Sequence, residues 1–175
     1  MSDRPIRDAV KSQYAATFQM LREAIGRVTD AEWLVGGPTW TDVPANSACH
    51  AMICARSYVD PNSGGLDWKK TNWDDLRYPP QNMPGRTEAL AYLDQVEKAT
   101  WAFLENTSEA GFLKSSGPNT QYTVLEHVIY AIRHMQHHTA QISHESKRRG
   151  LKAAAWRKGC SRERITPPPS PPPAG

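Results

Sequence analysis

From Thr123 to Gly150 the chain reads TVLEHVIYAIRHMQHHTAQISHESKRRG. Thr123-Val-Leu-Glu126 has capping-box spacing, Gly150 suits a helix stop, and no proline intervenes. The reading is one helix about 40 Å long at 1.5 Å per residue. Its apolar positions, Val124, Val128, Ala131, Met135 and Ile142, fall on one stripe, which elements of similar length have to cover. Three other segments can do so. Pro5 to Val28 places Ile6, Val10, Tyr14, Phe18, Leu21, Ile25 and Val28 at three- and four-residue steps, with Asp3 available as a cap and Pro5 suited to the first turn. A second helix is expected from near Pro44 to before Pro61, with Val43, Ser47, His50, Cys54, Ser57 and Tyr58 facing inward. A third runs from about Thr87 to Glu105, with Leu90, Leu93, Val96, Thr100 and Phe103 on one face. No segment alternates with the period of two that a half-buried strand needs, and no GxGxxG or Walker pattern occurs. The expected fold is all-α, a four-helix bundle.

The bundle should occupy residues 1–150. Thr29-Asp-Ala-Glu32 has capping-box spacing and can start a short turn of helix, which Gly36-Gly37-Pro38 breaks. Residues 60–86 form a long loop between the second and third helices, and Trp68 and Trp73 are expected to fold it back onto the body. Residues 111–120 read as loop. Residues 151–175 are a basic, Pro-rich tail. Six prolines fall in its last nine residues, and proline fixes φ and lacks an amide proton, so a disordered or polyproline appendage is expected from roughly residue 157.

Charge separates along the same boundary. Residues 1–145 carry 13 Lys and Arg against 17 Asp and Glu, whereas residues 146–175 carry eight basic residues and one Glu. The acidic body argues against a nucleic-acid partner, and the tail has no interleaved aromatic platform for one. No apolar run exceeds five residues, far short of the roughly 20 that a membrane span needs. The opening MSDRPIRDAV lacks the apolar stretch of a secretory signal. Three cysteines, Cys49, Cys54 and Cys160, make no disulfide framework. The expected setting is the cytoplasm. Leu, Ile, Val and Phe number only 28 of 175 residues, so Ala, Trp and Tyr have to supply much of the core.

The histidines carry the chemical information. Five of the six, His127, His134, His137, His138 and His144, lie on the last helix. At 100° per residue His134 and His138 stand about 40° apart, one turn from each other, on the inward side. That i, i+4 spacing lets two imidazoles share one ion, their nitrogens about 3.4 Å apart at tetrahedral zinc. His50, on the inward stripe of the second helix, offers a third ring. Burying three imidazoles without a common partner would be costly, and three neutral nitrogens leave a position open for water or substrate. His127 lies about 10 Å along the helix from His134 and reads as a core or surrounding residue. Cys54, one turn after His50, is either a fourth ligand or redox thiol or, as free Cys usually is, a small buried core residue. Glu126 is more simply the capping-box carboxylate than a general base.

The stretches WTDVPANSACHAM, RHMQHHTAQI and TDAEW, with the long first helix, resemble the DinB-like (YfiT-like) superfamily of metal-binding four-helix bundles. The likeness covers about residues 5–150. It implies His50, His134 and His138 as the ligands. Thr139-Ala140 stands where the family pattern has Arg-Gly, while Gln141 matches. The resemblance further implies a metal-dependent thiol S-transferase or isomerase using a low-molecular-weight thiol such as bacillithiol, mycothiol or glutathione. Zinc or nickel suits three imidazoles, and iron or manganese is compatible. A homodimer is the family habit. The expectation is therefore a metal-dependent transferase or hydrolase. The alternative is a non-catalytic bundle that binds metal or ligand, or docks a partner through its tail.

Overall fold

The structure, a computed structural model, describes residues 4–37, 39–59, 83–117 and 121–159. Among them are six α-helices: α1 Pro5–Arg27, α2 Asp30–Trp33, α3 Pro44–Val59, α4 Arg86–Asn106, α5 Glu109–Phe112 and α6 Val124–Arg148. A 3-10 turn, Trp40–Asp42, precedes α3. The sole β feature among the described residues is an isolated bridge between Ser115 and Thr123. None of the described helices is long and apolar enough to cross a membrane. Asp3, most of the long loop with Trp68 and Trp73, and Cys160 lie outside the described residues.

The four long helices form the expected bundle. Each packs on two neighbours: α6 on α3 and α1, and α4 on the same pair, so α1 and α3 sit diagonally. Tyr14, Phe18, Leu21 and Ile25 of α1 meet Met52 of α3, Leu93 and Leu104 of α4, and Met135 and Ile142 of α6 in one core. Aliphatic side chains are few, and alanine makes up for them. Ala45, Ala48, Ala51, Ala89 and Ala131 are fully buried, and small residues let helix axes approach closely. In α3 every residue from Pro44 to Ala55 is buried, so its inward stripe is broader than the expected one. The buried face of α4 is Ala89, Tyr92, Leu93, Val96, Thr100, Trp101 and Leu104. Leu90 and Phe103, expected at its centre, pack half-buried on its flank.

The helix ends show how these segments are held. Thr123 accepts from the Glu126 amide at 3.2 Å, and the Glu126 carboxylate accepts from the Thr123 amide at 2.7 Å. The same reciprocal box forms at Thr29 and Glu32. Gly150, at φ +76°, ends α6 in a Schellman arrangement. The Leu151 amide donates to the Ser146 carbonyl at 2.8 Å, and the Gly150 amide to that of Lys147 at 3.0 Å. The start of α1 has no local side-chain cap. Glu109 of α5 serves instead, its carboxylate accepting from the amides of Ile6 and Arg7 at 3.0 and 3.1 Å. The expected loop from 111 onward thus begins inside a short helix whose first residue caps another.

Residues 151–159 run along α1. Arg157 lies 3.6 Å from the Glu23 carboxylate, and the Gln13 side-chain Nε2 donates to the Lys158 carbonyl at 3.1 Å. The residues near 157, where the appendage was expected to begin, are therefore in contact with α1. Residues 160–175 lie outside the described part of the chain.

Candidate metal centre

The pairing of α3 with α6 brings His50 against the one-turn pair His134 and His138. Each of the three offers a ring nitrogen, and these nitrogens lie within 4.8 Å of one another. The Nε2 atoms of His134 and His138 are 3.0 Å apart, a few tenths of an ångström inside the separation at tetrahedral zinc. Ring centroids are 4.7 Å apart for His50 and His138 and 5.0 Å for His50 and His134. His50 and His138 are buried and His134 is half-buried. One side of the cluster is thereby left towards solvent.

Burial sets the protonation state. It pushes His138 down to about 3, helped by His50 and His134. It pushes His50 down to about 4, with His134 adding to the effect. His134 is lowered as well, chiefly by burial and then by His137. All three are neutral at pH 7, as ligation requires. Gln141 fixes one tautomer: with its proton on Nδ1, His138 donates to the Gln141 Oε1 at 2.7 Å. Its Nε2 then keeps a lone pair directed at the cluster, the orientation that carbonyl groups behind ligating histidines impose. Nδ1 of His134 is buried without a hydrogen-bond partner. The residues present therefore fit a divalent cation. No carboxylate among the described residues belongs to the group, so such an ion would keep its full charge for polarising a fourth ligand.

The other singled-out residues separate clearly. The Cys54 sulfur lies 3.7 Å from Nε2 and 3.9 Å from Nδ1 of His50, but outside the three-histidine group. Burial pushes its thiol up to about 11, so it rests protonated beside the centre. His127 is remote from the cluster and packs on Tyr58, centroid to centroid 4.7 Å. The two line a cavity of about 170 Å³ with Tyr14, Ser57 and Val128. His137 and His144 are exposed.

Two aromatic side chains flank the cluster. Trp40, in the 3-10 turn, places its ring 5.5 Å from His50 and 5.8 Å from His138. Tyr130 stacks on His134 at 5.8 Å with planes 10° apart. Tyr130 precedes His134 by four residues, so the helical repeat alone could have found it. Trp40 opens the WTDVPANSACHAM stretch, but its place against the two rings depends on how the segment before α3 folds back.

No curated protein matches the chain. The family model of the DinB superfamily matches residues 13–142, a span that contains His50, His134, His138 and Gln141 and most of the four long helices. With that match over well more than half of its length, the chain belongs to the DinB superfamily.

Proposed function

We propose that this protein binds one divalent metal ion through His50, His134 and His138 and uses it to activate a small-molecule nucleophile for group transfer or hydrolysis. The observation that carries the reading is the convergence of three neutral, largely buried imidazoles from two helices, half-exposed only at His134. A metal held by three neutral nitrogens deprotonates a bound thiol outright and lowers the pKa of bound water towards neutrality. A thiol suits the site better than water. Bound to such an ion it would give up its proton to solvent, and it would need no base from a set of ligands that lacks a carboxylate. The reading is a metal-dependent S-transferase taking a low-molecular-weight thiol, with zinc or nickel as the resident ion. We further take the protein as cytoplasmic, to which the buried free thiols of Cys49 and Cys54 lend support. We also take it as a homodimer, for which exposed Ile129 and Tyr130 on α6 offer an apolar face.

The test is turnover on protein of known metal content. Zinc- and nickel-loaded protein is assayed with a panel of thiols, bacillithiol, mycothiol and glutathione among them, against electrophilic acceptors. Thioether formation that disappears in His134→Ala supports the reading. Stoichiometric metal with no turnover on any thiol pair would favour a bundle that only binds metal or ligand.

A further inference from the structure

The three histidines come from two places in the chain, and a single side chain outside the cluster ties those places together. Arg149 is the C-cap residue of α6, the helix that carries His134 and His138. Its guanidinium donates to three backbone carbonyls of the segment leading into α3 and His50. The distances are 2.9 Å to Glu32, 2.5 Å to Val35 and 3.2 Å to Asp42. The Glu145 carboxylate, its side chain only 4% exposed, holds the same guanidinium at 3.3 Å. The segment so gripped carries Trp40, whose ring faces both His50 and His138.

We infer that Arg149 is a positioning residue for the metal centre, holding Trp40 against His50 and His138. Five donors in a rigid fork let arginine satisfy several carbonyls at once, which a lysine ammonium on a flexible stem cannot do in the same geometry. Local contacts also shape the segment. Asn46 donates to the Trp40 carbonyl at 3.3 Å and Ser47 to that of Thr41 at 3.1 Å. At Gly36 a Cβ would meet the Asp42 carbonyl oxygen at 2.6 Å, so only glycine permits the close approach there. Those contacts fold the turn but do not tie it to α6. Arg149 supplies that tie directly, and with it a fixed relation between Trp40 and the α6 histidines. As far as it concerns metal, the inference rests on the proposed function above. As far as it concerns Trp40, it stands on the metal-free protein.

The experiment uses the full chain labelled with 5-fluorotryptophan. The Trp40 line in the 19F spectrum is assigned by its loss in Trp40→Phe, and spectra are taken metal-free and with Co(II). In the wild type a single sharp Trp40 line should move strongly on Co(II) binding. In Arg149→Ala the metal-free line should broaden or move towards the position of an exposed indole. Its Co(II)-induced displacement should shrink, and Co(II) affinity should fall about tenfold, as for other residues that orient ligands without touching metal. Arg149→Lys should recover only part of each effect, and it carries the test if Arg149→Ala does not fold. A folded Arg149→Ala or Arg149→Lys protein with an unchanged Trp40 line would overturn the inference. If Co(II) moves no line in the wild type while the metal-free line still responds to Arg149→Ala, the metal assignment fails and the positioning of Trp40 stands.

Discussion

The Nδ1 proton of His138 is directed at Gln141 Oε1, 2.7 Å away, while its other ring nitrogen sits 3.0 Å from Nε2 of His134. A glutamine one turn on therefore decides which nitrogen of the buried histidine stays free for a cation. Gln141→Leu removes that acceptor at nearly constant volume. It should weaken metal binding by about tenfold or more with little change in thermal midpoint, since residue 141 is only half-buried. Chelator competition on the two proteins measures it.

The metal-free protein should lose stability as the solution is acidified below pH 6.5. In the unfolded chain His50 and His138 titrate near 6.5, whereas in the fold burial holds them at about 4 and about 3. Between those values the unfolded state binds more protons, so stability rises with pH there. The contribution is complete above the unfolded pKa and is lost as pH falls towards the folded ones. Urea midpoints measured from pH 7.5 to 4.5 should decline through this window. The decline should be shallower in His50→Gln and His138→Gln.

Both described cysteines should resist alkylation in the native state. Burial pushes the Cys54 thiol up to about 11 and that of Cys49 well above its ordinary range, and thiolate is the reactive form. Peptide mapping after iodoacetamide at pH 7.5 should show both unmodified until denaturant is added. Rapid native modification of Cys54 would mean that the α3 side of the centre is more open than its packing shows.

Glu109→Ala should free the first turn of α1. With both carboxylate contacts gone, the amides of Ile6 and Arg7 lose their acceptor, at a cost of about 1 kcal/mol, as for other helix N-caps. Hydrogen exchange at those two amides should accelerate while exchange at Leu21 and Ile25 follows only the global change.

Much of this fold was written in local pattern. The long helices follow from their apolar repeats, and Thr123, Glu126 and Gly150 marked both ends of α6 because caps are local chemistry. The histidine cluster was legible for the same reason: i, i+4 spacing puts His134 and His138 on one side, and His50 is the one histidine on α3. What escaped depends on partners far along the chain. Which face of α4 is central is decided by α1 and α3, which turn Leu90 and Phe103 to the flank. The cap of α1 comes from Glu109, about a hundred residues on, and so cannot be seen in the sequence around Pro5. In the sequence Arg149 is one charge in a basic run, because its carbonyl partners become neighbours only once α6 has packed.

The most direct measurement is the metal content of purified protein after exposure to excess zinc or nickel and removal of loose ions, for the wild type and for His50→Ala, His134→Ala and His138→Ala. The account predicts one ion per chain in the wild type. It predicts substoichiometric binding in each variant, with helical content retained by circular dichroism. A wild type that holds no ion under replete conditions, or three folded variants that bind as well as it does, would contradict the assignment of a metal centre.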